Sequence, residues 1–221
     1  MAKLPFDPEQ LPIDALAAEP AVPPDRLLAD ALRARFAHPP PWAPEITVER
    51  LVRPMSGPLT RAAVLVPIVL RDDGPTLLLT RRAAHLNAHG GQISFPGGRT
   101  EESDASAAAA ALRETEEEVG IDRRHIEVIG ELPEYRTGTG FSVMPVVGLL
   151  HPPFVTRTDP LEVAEVFEVP LAFLMDGAHH QRRTAEFSTG RRTFYTMPYQ
   201  RYFIWGATAG MLRNLFHFLR A

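Results

Sequence analysis

The chain has no cysteine at all. Disulfide staples, thiolate zinc sites and a cysteine nucleophile are therefore excluded, and any metal must be held by oxygen or imidazole. Lysine is nearly absent as well: Lys3 is the single one, and every other long basic side chain is arginine. Arginine suits bidentate phosphate recognition, although a coding bias explains the skew at least as well. No run of about 18 apolar residues occurs, so no transmembrane helix is expected. Met1–Glu9 is polar and lacks the apolar core of a signal peptide, which makes a cytoplasmic location the expectation. There is no basic excess either. A formal charge of -4 argues against nucleic acid as a partner. What is present is 221 residues, 45% of them hydrophobic, enough for one sizeable core.

Proline divides the chain. The first 60 residues hold 12 of the 22 prolines, and His38–Pro44 cannot be regular helix or central strand. Before it, Asp25–Phe36 has apolar residues at helical spacing, with Pro24 suited to a first turn. Residues 1–60 therefore read as an extension with one helix lying on a main domain of residues 61–221. In that domain Ala62–Leu70 reads as a buried strand, Asp72-Asp73-Gly74 as a turn, and Thr76–Thr80 as a returning strand. Ile93–Phe95, Ile126–Leu132, Phe141–Leu150 and Val163–Val169 are further strand candidates. Arg183–Ser188 and Arg192–Met197 read as a hairpin around Thr189-Gly190. Ala207–Leu219 is an amphipathic helix with Met211, Leu212, Leu215, Phe218 and Leu219 on one side. Mixed strands with flanking helices predict an α/β or α+β sandwich. His179 and His180 fall in a polar loop and are expected to be solvated, and His85 is expected to be structural.

One predicted helix carries chemistry. Asp104 can cap it, Gly120 can end it, and Ala108, Ala111, Leu112, Thr115 and Val119 form its packing face. Glu114, Glu117 and Glu118 stand at i, i+3 and i+4, so they share a face that borders the core. Like charges so placed repel by a few tenths of a kcal/mol per pair, and a divalent cation would relieve them. Hard cations such as Mg or Mn take several oxygen ligands and bridge substrate phosphates. Arg113, at i−4 from Glu117, can hold that carboxylate in place. A solvated acidic face is the alternative reading of the glutamates alone.

Arg113-Glu114-Thr115-Glu116-Glu117-Glu118-Val119-Gly120-Ile121 resembles the second half of the Nudix box. Thr115 stands where an aliphatic is usual, and Asp104 replaces the outlying acid after a one-residue loop insertion. The resemblance implies a Nudix-type α/β/α sandwich with a mixed sheet, and a pyrophosphohydrolase dependent on Mg or Mn. It implies a metal set of Glu114, Glu117, Glu118 and Gly98, and a catalytic set of Glu117, Glu114, Arg113 and Glu162. Glu162 answers to a carboxylate recruited from outside the box, with Glu165 as the alternative. The stretch Leu78–Gly98 is similar to the signature of the bacterial coenzyme A pyrophosphatase branch of the family. Arg82, Gly91, Phe95, Pro96, Gly97 and Gly98 match, whereas Asn87 stands where a basic residue is usual. Ile204–Ala209 adds to this likeness.

On that resemblance the substrate is coenzyme A or an acyl derivative, cut to 3′,5′-ADP and 4′-phosphopantetheine or its acylated form. Arg82, His89, Gln92, Arg81 and Phe95 are the substrate-binding candidates. The competing readings are cleavage of another nucleoside diphosphate derivative, such as ADP-ribose or an oxidised nucleotide, and a Nudix-like binding module without catalysis. The partner expected is a small molecule, neither nucleic acid nor membrane. The apolar content of residues 1–60 is compatible with a homodimer without requiring one.

Overall fold

The apolar run at 62–70 becomes the spine of the molecule. The computed structural model describes residues 6–45, 58–86, 89–187 and 190–221. Strand β2 (Thr60–Val69) pairs in parallel with β8 (Phe141–Leu150) along its whole length. Strands buried on both faces read as continuous hydrophobic runs, which is how both appear in the sequence. Strand β3 (Thr76–Arg82) returns antiparallel to β2 and is flanked by β4 (Ile93–Ser94) and β9 (Val163–Pro170). Strand β6 (Ile126–Glu131) closes the other side against β8, and the short β5 (Gly97–Arg99) and β7 (Tyr135–Arg136) pair with β2 and β8. The result is a mixed sheet of eight strands.

Side chains alternate across this sheet, and the alternation builds two cores. Ala63, Leu65, Leu78, Val146 and Leu150 face helix α2 (Ala107–Val119) and cluster with Ala110, Ala111 and Val119. Val66, Ile68, Leu77, Leu79, Val147 and Leu149 face the other way, joining Leu171 and Leu174 of the short helix α3 (Leu171–Leu174) and Leu212, Leu215, Phe216 and Leu219 of helix α4 (Gly206–Arg220). Helix α1 (Ala29–Ala37) lies on the same side, with Phe36 against Phe218 at a ring separation of 4.7 Å. This is the expected α/β/α sandwich with a mixed sheet. No helix among the described residues is long and apolar enough to cross a membrane.

Four differences from the sequence reading have physical causes. The N-terminal helix is interrupted: a 3-10 turn at Pro24–Leu27 ends at Leu28, whose backbone is extended, and α1 starts only at Ala29. The hairpin of β10 (Gln181–Phe187) and β11 (Gly190–Tyr199) forms, though Ser188 and Thr189 of its turn lie outside the described residues. It belongs to a second sheet, ordered β1-β10-β11-β12, whose outer members β1 (Ala15–Leu16) and β12 (Tyr202–Trp205) are too short to leave a periodic signal. Helix α4 is buried on nearly every side rather than one, because the second sheet and the N-terminal segment cover the flank away from the large sheet.

The last difference concerns His180. It was expected in solvent and is instead 0% exposed. Its Nε2–H donates to the Leu174 carbonyl at 2.8 Å, and its Nδ1 accepts from Arg213 at 3.0 Å. Arg213, itself buried on α4, also pairs with Glu19 at 2.7 Å and Glu45 at 2.8 Å. Burial lowers the His180 pKa to about 4, so the ring is neutral at ordinary pH. His179 stacks on Phe173, ring centroids 3.9 Å apart.

Candidate active site

Helix α2 and the loop before it carry the acids. The helix begins at Ala107, and its cap is Ser106, whose Oγ accepts from the Ala109 N–H at 3.1 Å. Asp104 is not the cap. Its carboxylate instead takes the Arg113 guanidinium, at 3.1 and 3.0 Å, and the Glu101 N–H at 2.8 Å. Arg113 is thereby fixed with one nitrogen on the box glutamates: Nη1 donates to Glu114 and to Glu117, each at 3.0 Å. The helix ends at Gly120, whose φ of +68° is the left-handed conformation glycine adopts cheaply.

The three predicted acids share the face but not the environment. Glu117 is 59% exposed, Glu114 is 16% and Glu118 is 4%. Glu118 lies beneath the loop before the helix, accepting from the Gly97 N–H at 3.0 Å, with Arg82 at 3.6 Å. Burial raises its pKa to about 7, against the pull of the Gly97 amide and the Arg82 charge, and the charges of Glu162 and Glu114 push it further up. Burial also raises Glu114. Arg113 opposes that shift, and the charges of Glu117 and Glu162 add to it. Glu116, the remaining glutamate of the run, is turned away and held by Arg123.

The segment of Glu162 is tied to the site through its backbone: the Ala83 N–H, next to Arg82, donates to the Glu162 carbonyl at 2.8 Å, and the Asp159 N–H donates to the Glu118 carbonyl at 3.0 Å. Glu165, its alternative, is committed elsewhere, to Arg81 at 3.0 Å, to the Tyr202 hydroxyl at 2.7 Å and to Arg201. Arg81 and Arg82 thus part company, as neighbours on a strand must. Arg82 turns toward Glu118 and Arg81 toward Glu165. The loop after β3 is tied back on itself, with the Arg82 N–H donating to the Gln92 carbonyl and the Gly91 N–H to the Arg82 carbonyl, both at 3.0 Å. On that loop His89, with φ +59°, pairs its Nδ1 with the Gln92 Oε1 at 2.8 Å. Asn87 lies outside the described residues. Phe95 requires a correction. It is 2% exposed in the core, so it supports the loop from beneath and offers no face to a ligand.

Among the described residues no group of three or more carboxylate or imidazole side chains is already gathered around one point for a metal ion. Arg113 holds Glu114 and Glu117, and the Gly97 amide holds Glu118. The donor chemistry nevertheless fits a hard divalent cation. It consists of carboxylates with two raised pKa values and too little positive charge around them. Gly98 fits as well, because a side chain there would fill the Glu114 position, with its Cβ 2.5 Å from Oε2. Gly98→Ala is therefore expected to displace that carboxylate and lower kcat/KM about a hundredfold, with an unchanged circular dichroism spectrum. Activity within threefold of the parent would show that the contact is immaterial.

Residues 59–184 match the NUDIX domain model. NudL of Escherichia coli (strain K12), an uncharacterized Nudix hydrolase, is 47% identical over 156 residues, 70% of this chain and 80% of that protein. NudL of Salmonella heidelberg (strain SL476) is 45% identical over 191 residues, 86% of this chain and 94% of that protein. Among solved structures, a C. elegans Ap4A hydrolase binary complex is 22% identical with a TM-score of 0.44, covering 50% of this chain and 80% of that one.

Proposed function

The chain belongs to the Nudix hydrolase family and is a pyrophosphohydrolase, and from that premise we propose that its substrate is coenzyme A or an acyl-coenzyme A. The observation that carries the reading is the meeting of Arg82 with the buried Glu118, at 3.6 Å, beneath the loop that closes Leu78–Gly98. Glu114, Glu117 and Glu118, with the Gly98 carbonyl, would hold a divalent cation such as Mg or Mn. When bound, such a cation neutralises the diphosphate and lowers the pKa of water. Arg113 orients Glu114 and Glu117 through its two 3.0 Å bonds and is itself fixed by Asp104. Glu162 is exposed on the segment that Asp159 ties to the Glu118 backbone, and it takes the proton of the attacking water. Arg82 binds the diphosphate, and His89 and Gln92 line the loop above it.

The test is product identity. Coenzyme A incubated with Mg or Mn is expected to yield 3′,5′-ADP and 4′-phosphopantetheine, and a chelator is expected to abolish the reaction. Comparable kcat/KM for ADP-ribose, or a faster reaction on it, would overturn the substrate assignment and leave the family chemistry intact.

A further inference from the structure

A second cationic group stands across β3 from Arg82. Arg81 and Arg201 both pair with Glu165, one on each oxygen. Arg201 sits in the tight turn between β11 and β12, where Tyr199 pairs with Tyr202. It lies outside the residues 59–184 that match the family. Its position is built rather than loose. Its Nη2 donates to the Tyr202 hydroxyl at 2.9 Å, and that hydroxyl donates to Glu165 at 2.7 Å. The Tyr202 ring is stacked on Phe167, centroids 3.5 Å apart, and both rings are buried. The scaffold is thus packed in place, while the Arg81 and Arg201 side chains it presents are 48% and 71% exposed.

One carboxylate between two guanidinium groups leaves net positive charge in this cluster. Arg81 and Arg82 are consecutive on an extended strand, so their Cα atoms are about 3.8 Å apart while their side chains leave opposite faces. An anion at Arg82 and a second at Arg81 and Arg201 would straddle the end of β3. That arrangement suits a ligand with two phosphate groups joined through a sugar. Guanidinium forks are matched to phosphate oxygens in a way that a point charge is not.

We propose that Arg201, with Arg81, forms a subsite for a phosphate monoester on the nucleotide part of the substrate, separate from the diphosphate that is cut. The inference rests on the coenzyme A reading, since coenzyme A carries such a group on its ribose. Arg201 is then a specificity-determining residue that turns the Glu165–Tyr202 pair to substrate selection.

The experiment compares kcat/KM for coenzyme A with that for 3′-dephospho-coenzyme A in the parent, in Arg201→Gln and in Arg201→Lys. The parent is expected to favour coenzyme A. Loss of one charge-assisted phosphate contact lowers the ratio about tenfold or more in Arg201→Gln, and Arg201→Lys restores part of it. A role confined to holding the β11–β12 turn moves both substrates together and leaves the ratio unchanged, which overturns the subsite. A parent without preference between the two overturns it as well. A parent that cleaves neither substrate while cleaving ADP-ribose refutes the coenzyme A reading itself, and the subsite with it.

Discussion

Glu117→Gln is expected to lower kcat/KM by about two to four orders of magnitude, because a cation that is weakly held forfeits several kcal/mol of transition-state stabilisation, while leaving the melting temperature within about 2 °C. The two parts follow from one observation. Glu117 is 59% exposed, and its only described partner is Arg113, which keeps Asp104 and Glu114 when the carboxylate is lost. An exposed i,i+4 pair contributes about 0.3–0.5 kcal/mol, and glutamine has nearly the same shape and helix propensity. Glu117 lies in the last turn of α2, where carboxylates oppose the helix dipole, so the fold gains nothing from its charge. Steady-state kinetics beside a thermal melt separates the two effects. Activity within tenfold of the parent would remove Glu117 from the proposed metal set.

Arg213→Met is expected to show the opposite pattern, a large loss of stability with no direct contact with the acids of α2. Arg213 is 2% exposed and answers the charges of Glu19 and Glu45, which are 29% and 27% exposed. Removing one partner of a buried ion pair costs about 3–5 kcal/mol. Because both acids keep some access to water, the lower end applies. At about 2–4 °C per kcal/mol for a chain of this size, the melting temperature is expected to fall by about 6–12 °C. A fall below about 3 °C would show that the network is energetically neutral.

Acid sensitivity follows from the same cluster. Burial pushes the Glu45 carboxyl up, but hydrogen bonds from His217 and Tyr195, with the Arg213 charge, outweigh it and hold it at about 2. A depressed carboxyl contributes stability above the ordinary carboxylate pKa, and that contribution is lost as pH falls toward about 2. His180 adds an earlier loss. The unfolded ring takes up a proton from about pH 6.5 downward, whereas the folded ring does so only near pH 4. Denaturant midpoints between pH 7 and pH 3 are therefore expected to fall in two stages, and Arg213→Met is expected to flatten the lower one. A midpoint constant from pH 7 to pH 5 would contradict the His180 part.

The sheet was legible because its central strands, buried on both faces, are long continuous apolar runs bounded by turn signals. The acid-bearing helix was legible because 3.6-residue spacing places Glu114, Glu117 and Glu118 together. Burial was not legible at the same level. Nothing in the spacing separates Glu118, under the Gly97 amide, from Glu117 in water, because the difference is made by a loop that packs from outside the helix. Asp104 looked like a cap because it precedes the helix, yet Ser106, two residues later, is the residue with the extended backbone that a cap needs. His180 and Arg213 were missed for a simpler reason. They are 33 residues apart in sequence, and only the tertiary fold brings them together. Phe95 matched a motif position that a buried packing role fills as well as a ligand contact would.

The way the N-terminal segment is fastened also bears on biosynthesis. The Arg26 guanidinium donates to the Arg220 carbonyl, a contact that spans 194 residues, and Ala15 pairs with Arg182. At about 5–20 residues per second, a nascent chain would hold this segment without its partners for roughly 10–40 s. Exposed strand edges left waiting that long invite mispairing. Pro12, Pro20, Pro23 and Pro24 bracket the two-residue strand β1 and lack the N–H that a ladder requires. The proline content that divides the sequence therefore also keeps its first segment from pairing before its partner strand has been made.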